Sequence, residues 1–100
     1  MKRWINYKNG NTIGTEGSEG GIILREEEFD GGCLITLEKC ERYHAVTCGV
    51  YGAMVHTVFC SPEESEEVYS NMKKDLGAFM SKDTSWEEEC EFYEEFVMKY

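Results

Sequence analysis

The fold of this chain is decided by residues 33–40, which read CLITLEKC. The alternation in this stretch has the period of two residues that is typical of a strand with one buried face and one wet face. One face carries Cys33, Ile35 and Leu37, and the other carries Thr36 and Glu38.

Asp30-Gly31-Gly32 supplies the positive φ values of a hairpin turn before this strand. Residues 22–29 are therefore predicted to be its antiparallel partner, with Glu26-Glu27-Glu28 facing solvent.

Further segments extend this pairing into a meander. Residues 44–50 and 54–60 have the residue alternation of strands, and Tyr51-Gly52-Ala53 between them is typical of a turn. Residues 4–8 are predicted to form a short first strand. Gly14–Gly21, with four glycines, is expected to be a flexible surface loop. The first sixty residues should thus form an antiparallel sheet of four to five strands.

The first of two predicted helices begins at Ser61-Pro62-Glu63-Glu64. A serine N-cap, a proline at the first helical position and early glutamates all suit the free amide groups of a helix start. This helix is expected to run to about Met80. The residues expected to pack on the sheet are Val68, Met72, Leu76 and Phe79.

The second helix is predicted to begin at a capping box of Ser85 and Glu88 and to run to the C-terminus. Its apolar face should comprise Trp86, Cys90, Phe92, Tyr93, Phe96, Val97 and Tyr100. Its other face is anionic and carries Glu87, Glu88, Glu91, Glu94 and Glu95. Residues 1–100 are therefore predicted to form a single α+β domain, a two-layer sandwich of an antiparallel meander sheet and two C-terminal helices.

The charge of the chain limits its partners. Twenty acidic and ten basic residues give a formal net charge of −10, which repels nucleic-acid phosphates and anionic lipid. Direct binding to nucleic acid or to a membrane is therefore not expected, whereas a basic protein would be attracted. The sequence shows neither a signal peptide nor a membrane-spanning run, so a cytoplasmic location with reduced cysteines is expected.

No metal or cofactor site is predicted. Possible metal ligands occur between positions 33 and 60, namely Cys33, Cys40, His44, Cys48, His56 and Cys60. Zinc sites usually contain ligand pairs spaced about two to four residues apart, and no C-x-x-C pair is present. The glycines of residues 14–21 match neither common phosphate-binding motif, and Glu16 and Glu19 would repel a phosphate.

A small thiol-dependent enzyme is an alternative that the residues leave open. Neighbouring strands could bring Cys48 near His56, or Cys40 near His44, as in a cysteine nucleophile paired with imidazole. No cysteine-hydrolase signature surrounds these residues, and their acidic surroundings favour the neutral thiol. We therefore predict a protein that is not an enzyme and has no catalytic residues.

The anionic face of the second helix carries the leading functional hypothesis. Regularly spaced carboxylates on a rigid helix can imitate the phosphates of a duplex and occupy a basic groove of a nucleic-acid-binding protein. We predict an acidic inhibitor or regulator whose partner-binding residues are Glu87, Glu88, Glu91, Glu94 and Glu95. In size and charge the chain resembles small acidic inhibitors carried by phages, including nucleic-acid mimics and some anti-CRISPR proteins.

The alternative interaction hypothesis uses apolar surface. Both faces of residues 54–60 carry apolar side chains, so the sheet face away from the helices is expected to stay partly apolar. Tyr51, Met54 and His56 would then line the contact of an adaptor with its partner, or of two copies in a homodimer. An open edge strand offers a second route to the same association.

Overall fold

The computed structural model describes residues 3–100 as one antiparallel sheet with two helices packed on one face. The strands are β1 (Trp4–Asn6), β2 (Ile22–Phe29), β3 (Cys33–Lys39), β4 (His44–Val50) and β5 (Met54–Cys60), and the helices are α1 (Ser65–Met80) and α2 (Trp86–Lys99). The strand order β1-β2-β3-β4-β5 confirms the predicted meander sheet and the α+β fold. We call the sheet face away from the helices the outer face. None of the described helices is long and apolar enough to cross a membrane.

The first strand ends two residues earlier than predicted. Lys8 and Asn9 have φ values of 47° and 57°, in the left-handed region, so the chain turns at residues 7–10 instead of continuing as a strand. The hairpin turn between β2 and β3 agrees with its prediction, because Asp30 and Gly31 both have positive φ.

The core lies between the sheet and α1. Alternate residues of β3 and β4 point toward the helices, as the period of two predicts. The fully buried side chains that meet there are Cys33, Ile35, Leu37, Val46, Cys48, Tyr69, Met72 and Leu76. Val68 is only partly buried, since Tyr69 occupies the position against the sheet that was predicted for Val68.

Helix α1 begins at Ser65, three residues after Pro62, the predicted first helical residue. In the preceding turn, the Glu64 backbone amide donates to the Ser61 hydroxyl oxygen at 3.3 Å, so the predicted capping contact forms before the helix and not within it. The Ser65 hydroxyl donates to Pro62 O at 2.9 Å and lies 2.9 Å from Nδ1 of His44 on β4. This buried contact with the sheet fixes where the helix starts.

The prediction that residues 26–28 face solvent is wrong. Glu27 points toward the helices, where it accepts hydrogen bonds from Lys73 Nζ at 2.9 Å and from the Tyr69 hydroxyl at 2.7 Å. Burial by itself raises the pKa of the Glu27 carboxyl, but the hydrogen bonds from Lys73 and Tyr69 outweigh burial and leave that pKa below its usual value. Glu27 is half-buried there, whereas Glu26 points to the outer face and is buried.

A β-bulge at Leu24 sets which residues of β2 reach the outer face. The register with β3 shifts between Ile23 and Arg25, so that Ile23 pairs with Glu38 while Arg25 pairs with Leu37. Without the bulge, alternation would place Ile23 and Arg25 on the same face. The bulge therefore gives the outer face a buried isoleucine beside the loop that precedes β2.

Candidate binding surfaces

Helix α2 is fixed at both ends. Ser85 and Glu88 form the predicted capping box, in which each side chain accepts a hydrogen bond from the other residue's backbone amide at 3.2 Å. At the other end, Asp75 of α1 accepts from Lys99 Nζ at 2.9 Å and from the Tyr100 hydroxyl at 2.5 Å. Burial raises the pKa of the Asp75 carboxyl, but these two hydrogen bonds outweigh it and the pKa is lowered.

The packed side of α2 is aromatic and is centred on Phe96. Phe96 is buried, and Phe92 stacks on Phe79 of α1 with ring centroids 3.9 Å apart. The predicted apolar face is therefore only partly correct, because Trp86 and Val97 are exposed. Successive residues of a helix are rotated by about 100°, so a helix that faces the core through Phe96 turns Val97 toward its edge.

The five predicted partner-binding carboxylates are all exposed on one side of α2. They are Glu87, Glu88, Glu91, Glu94 and Glu95. At about 100° per residue they lie in a stripe about 120° wide, on the side away from Phe96. We call this group the acidic stripe. It is about 12 Å long and carries about one charge per 2.4 Å, close to the value of about one per 1.7 Å along double-stranded DNA. Within residues 3–100, none of the five takes part in an ion pair.

Two exposed apolar side chains lie on the same helix as the acidic stripe. Trp86 at the start of α2 is 71% exposed, and Met98 near its end is 85% exposed. Met98 follows Glu91 and Glu94 at spacings that place it within the stripe. Methionine is enriched in protein interfaces, so the stripe offers an apolar contact point at Met98 as well as charge. Trp86 lies about 80° outside the edge of the stripe, at about 100° per residue.

A row of polar side chains crosses the outer face of the sheet. The strand register places Glu26, Thr36, Thr47 and Thr57 next to one another on β2, β3, β4 and β5. The Thr36 hydroxyl donates to the Glu26 carboxylate at 2.5 Å, and the hydroxyl oxygens of Thr47 and Thr57 lie 3.1 Å apart. Glu26 is only 8% exposed. No ion pair within the described chain includes it.

The loop before β2 turns the outer face into a cleft. Residues 12–18 form one wall, residues 51–53 form the far end, and much of the polar row lies on the floor between them. The cavity has a volume of about 760 Å³, within the range of small-molecule sites. The Tyr51 hydroxyl donates to the Glu28 carboxylate at 2.6 Å, which ties the far end to β2 across β3.

The wall of the cleft is anchored by a buried carboxylate. Glu38, predicted to face water, is fully buried and accepts hydrogen bonds from the backbone amides of Glu19 at 3.1 Å and Gly21 at 2.9 Å. A Cβ at position 17 would overlap the Glu38 carboxylate, so Gly17 is required for this close approach. The glycine-rich loop, predicted to be flexible, is thus packed against the sheet through Glu38.

The terminal strand β5 presents apolar side chains on the outer face. Val55 is 78% exposed and Phe59 is 56% exposed. Residues 54–60 contain no charged residue and no proline, the features that commonly protect an edge strand from pairing. Met54 and His56, predicted to line this surface, point instead toward the helix side of the sheet.

The thiols of the sheet lie largely in the core. Cys33 and Cys48 are fully buried, and burial raises their pKa to about 11 and about 12. Cys48 and His56 are register partners, as the thiol-enzyme alternative requires, but a thiol with such a pKa stays protonated at neutral pH. Within residues 3–100, no group of three or more Cys, His, Asp or Glu side chains is arranged to hold a metal ion.

Comparison of the chain with models of protein families, with curated proteins and with solved structures finds no match. The candidate surfaces are therefore judged by their own geometry and charge. The acidic stripe belongs to the helix layer, and the cleft lies on the opposite face of the sheet. The two surfaces can therefore be altered independently of each other.

Proposed function

We propose that this protein is a non-enzymatic binding module, which uses the acidic stripe to occupy a basic, nucleic-acid-binding surface of a partner protein. The observation that supports this proposal is the exposure of all five carboxylates in one stripe, with no ion pair from the described part of the chain. Closely spaced charges of one sign repel one another, and a basic groove would relieve that repulsion. The activity would be that of an inhibitor or regulator, of which phage anti-defence proteins such as anti-CRISPR proteins are one type.

Both ends of α2 are held in place, which favours a role of this helix in binding. Its start is held by the capping box of Ser85 and Glu88, and its end is held to α1 through Asp75. A surface that is already ordered loses less conformational entropy when it binds, so more of the electrostatic attraction appears as affinity. The exposed side chain of Met98 would add an apolar contact among the charges.

Charge reversal within the stripe tests the proposal. Replacing Glu87, Glu91 and Glu94 by lysine leaves the capping residue Glu88 intact, and three changes of +2 each take the net charge from −10 to −4. A matched control replaces three exposed acidic residues outside the stripe by lysine, namely Glu19, Glu41 and Glu63, and reaches the same net charge. Far-ultraviolet circular dichroism establishes that both variants are folded.

The two variants and the wild-type protein would serve as baits for affinity capture from lysate at low and moderate salt. We expect a basic nucleic-acid-binding protein to be captured by the wild type and the control, lost from the stripe variant, and released as salt screens the contact. The wild type, added in excess, should also displace nucleic acid from the captured protein. Equal capture by the stripe variant would contradict the proposal.

Self-association through β5 is a second candidate. The exposed Val55 and Phe59, together with an edge free of charged residues and proline, favour antiparallel pairing of β5 with the same strand of another copy. Such a dimer rests on apolar area and backbone hydrogen bonds, so its stability should not fall as salt is raised.

Size-exclusion chromatography with light scattering distinguishes the two candidates. A dimer at micromolar concentration that persists in high salt, and that Val55→Lys converts to a monomer, would favour self-association, because a lysine on an edge strand opposes further pairing. A monomer at all concentrations would leave the acidic stripe as the binding surface. Val97→Lys, which adds the same charge at an exposed position on α2, serves as the control.

A further inference from the structure

Among the carboxylates that the fold shields from water, Glu26 differs from Glu27, Glu38 and Asp75 because it lines the cleft. Glu27 is paired with Lys73 and Asp75 with Lys99, each at 2.9 Å. Glu38 has no ion pair within the described chain either; its Oε1 accepts hydrogen bonds from two backbone amides, while its buried Oε2 has no hydrogen-bond partner among the described residues. Glu26 is nine-tenths buried, yet the hydrogen bond that it accepts comes from the neutral Thr36 hydroxyl, and no cation of the described chain forms an ion pair with it. A buried carboxylate with so little compensation is costly for the fold.

The surroundings of Glu26 define the chemistry that would complement it. Its carboxylate lines the cleft, with the hydroxyls of Thr36 and Thr47 beside it on the floor. Leu34 and Val55 supply apolar floor, and Gly49 has no side chain to fill the space above β4. The site therefore combines one negative charge, several hydroxyl groups and apolar surface in a cavity of about 760 Å³.

We propose that this cleft binds a small organic cation, with a primary ammonium or guanidinium group at Glu26 and a compact apolar body over Leu34, Gly49 and Val55. The cation supplies the counter-charge that the chain itself does not, and the threonine hydroxyls accept its remaining N–H groups. An anionic ligand would be repelled by Glu26. A neutral ligand of the same shape would leave the buried carboxylate uncompensated, so the site selects by charge as well as by shape.

This inference is independent of the proposed function of α2. The cleft belongs to the sheet and the loop at residues 12–18, and no residue of the acidic stripe lines it. Either proposal can therefore fail while the other stands. The cleft and the stripe also recognise different classes of partner, a small molecule on one face of the sheet and a protein on the other layer.

Tryptamine and tryptophol provide a matched pair of probes, because they differ only in a terminal ammonium or hydroxyl group. Binding would be followed by a two-dimensional NMR titration of the backbone amides of Thr36, Thr47 and Gly49. We expect saturable shifts at these amides with both probes, and an affinity for tryptamine that is at least about tenfold higher, as for a hydrogen bond to a charged partner.

Two variants identify the cause of the selectivity. Glu26→Gln keeps the size of the side chain and removes the charge, so tryptamine should lose its advantage of about tenfold over tryptophol. Glu41→Gln makes the same change of net charge at an exposed turn outside the cleft, and it should keep the full preference. This control separates the site from the general attraction of an acidic protein for cations.

Gly49→Val fills the cleft without touching Glu26. A Cβ at this position would meet nothing closer than Met54 O at 3.6 Å, and valine suits a strand, so the fold should tolerate it. Binding of both probes should fall at least about tenfold, as for a blocked pocket. Equal affinity of the two probes, an unchanged preference in Glu26→Gln, or shifts confined to α2 would overturn the proposal. So would the absence of saturable shifts at the cleft.

Discussion

Glu26 and Glu27 are neighbours in the sequence, but they lie on opposite faces of the same strand and in opposite electrostatic situations. Glu27 lies on the helix-covered face with Arg25, Lys73 and Tyr69 within 3.2 Å. Glu26 lies on the outer face with the Thr36 hydroxyl at 2.5 Å. On the helix-covered face Glu27 is paired with cations, whereas on the outer face Glu26 is buried without a cation and lines a cleft.

This difference separates structural charge from charge that is available for binding. The same contrast occurs between the helices, since Asp75 is paired with Lys99 while the acidic stripe has no ion pair in the described chain. Charges that the chain compensates internally hold its elements together. Charges that it leaves uncompensated are the ones whose electrostatic energy an oppositely charged partner can lower.

The largest effect on stability is expected from removing the carboxylate of Glu27, which is paired with Lys73. Glu27→Ala leaves the buried Tyr69 hydroxyl and the Lys73 ammonium without their acceptor, so the free energy of unfolding should fall by about 3 kcal/mol. Urea denaturation at neutral pH measures this change. Glu66→Ala, which removes a much more exposed partner of Arg25, is the control and should cost less than about 1 kcal/mol. Equal losses of unfolding free energy in Glu27→Ala and Glu66→Ala would show that the burial of Glu27 and its partners does not matter for stability.

A somewhat smaller loss of stability is expected when Glu38, which anchors the wall of the cleft, is removed. Glu38→Ala frees the backbone amides of Glu19 and Gly21 and should lower the free energy of unfolding by about 2 kcal/mol. Native-state hydrogen exchange should also become faster at these two amides, because the loop can then leave the sheet. Glu16→Ala removes an exposed carboxylate from the same loop and serves as the control. Unchanged exchange at Gly21 would mean that another contact holds the wall.

The pH dependence of stability tests the role of Glu27 in the comparison of Glu26 with Glu27. The expected effect on stability is smaller than in the two preceding tests. The pKa of Glu27 is lowered by folding, so its contribution is fully present above the unfolded value of about 4.3 and is lost as pH falls through the lower folded value. The stability difference between the wild type and Glu27→Gln should therefore be constant near neutral pH and should shrink in acid below about pH 4. Denaturation in urea over a pH series measures it. A difference that persists unchanged into acid would contradict the assignment of the stabilising form to the carboxylate.

Much of the fold follows from the sequence because its signals are local. The bounds of β2, β4 and β5 and the capping box of α2 agree with prediction, since alternation and caps depend on a few adjacent residues. The start of α1 and the edge of the packed face of α2 do not. They depend on tertiary contacts, the His44–Ser65 contact in one case and the packing of Phe96 in the other.

The two candidate surfaces differ in the same way. The acidic stripe lies on one helix, so the spacing of Glu87 to Glu95 is enough to predict that the carboxylates share an exposed side. The cleft combines residues from four strands and a loop, and its position depends on the bulge at Leu24 and on Glu38. Nothing in the sequence near Glu26 indicates that Thr36 and Thr47 will lie beside it, because register links residues that are distant along the chain.

The smallest change in stability is expected at Glu26 itself, and it is the sharpest test of the comparison. Glu26→Gln keeps an oxygen that can accept from Thr36 and removes a buried charge that lacks a cation, so the free energy of unfolding should stay within about 1 kcal/mol of the wild type or rise. Glu27→Gln, the matched change on the other face, should be clearly destabilising under the same conditions. A loss at Glu26 as large as that at Glu27 would mean that the fold needs both charges. A stable Glu26→Gln protein that no longer prefers tryptamine over tryptophol would mean that the charge is maintained for binding at the expense of stability.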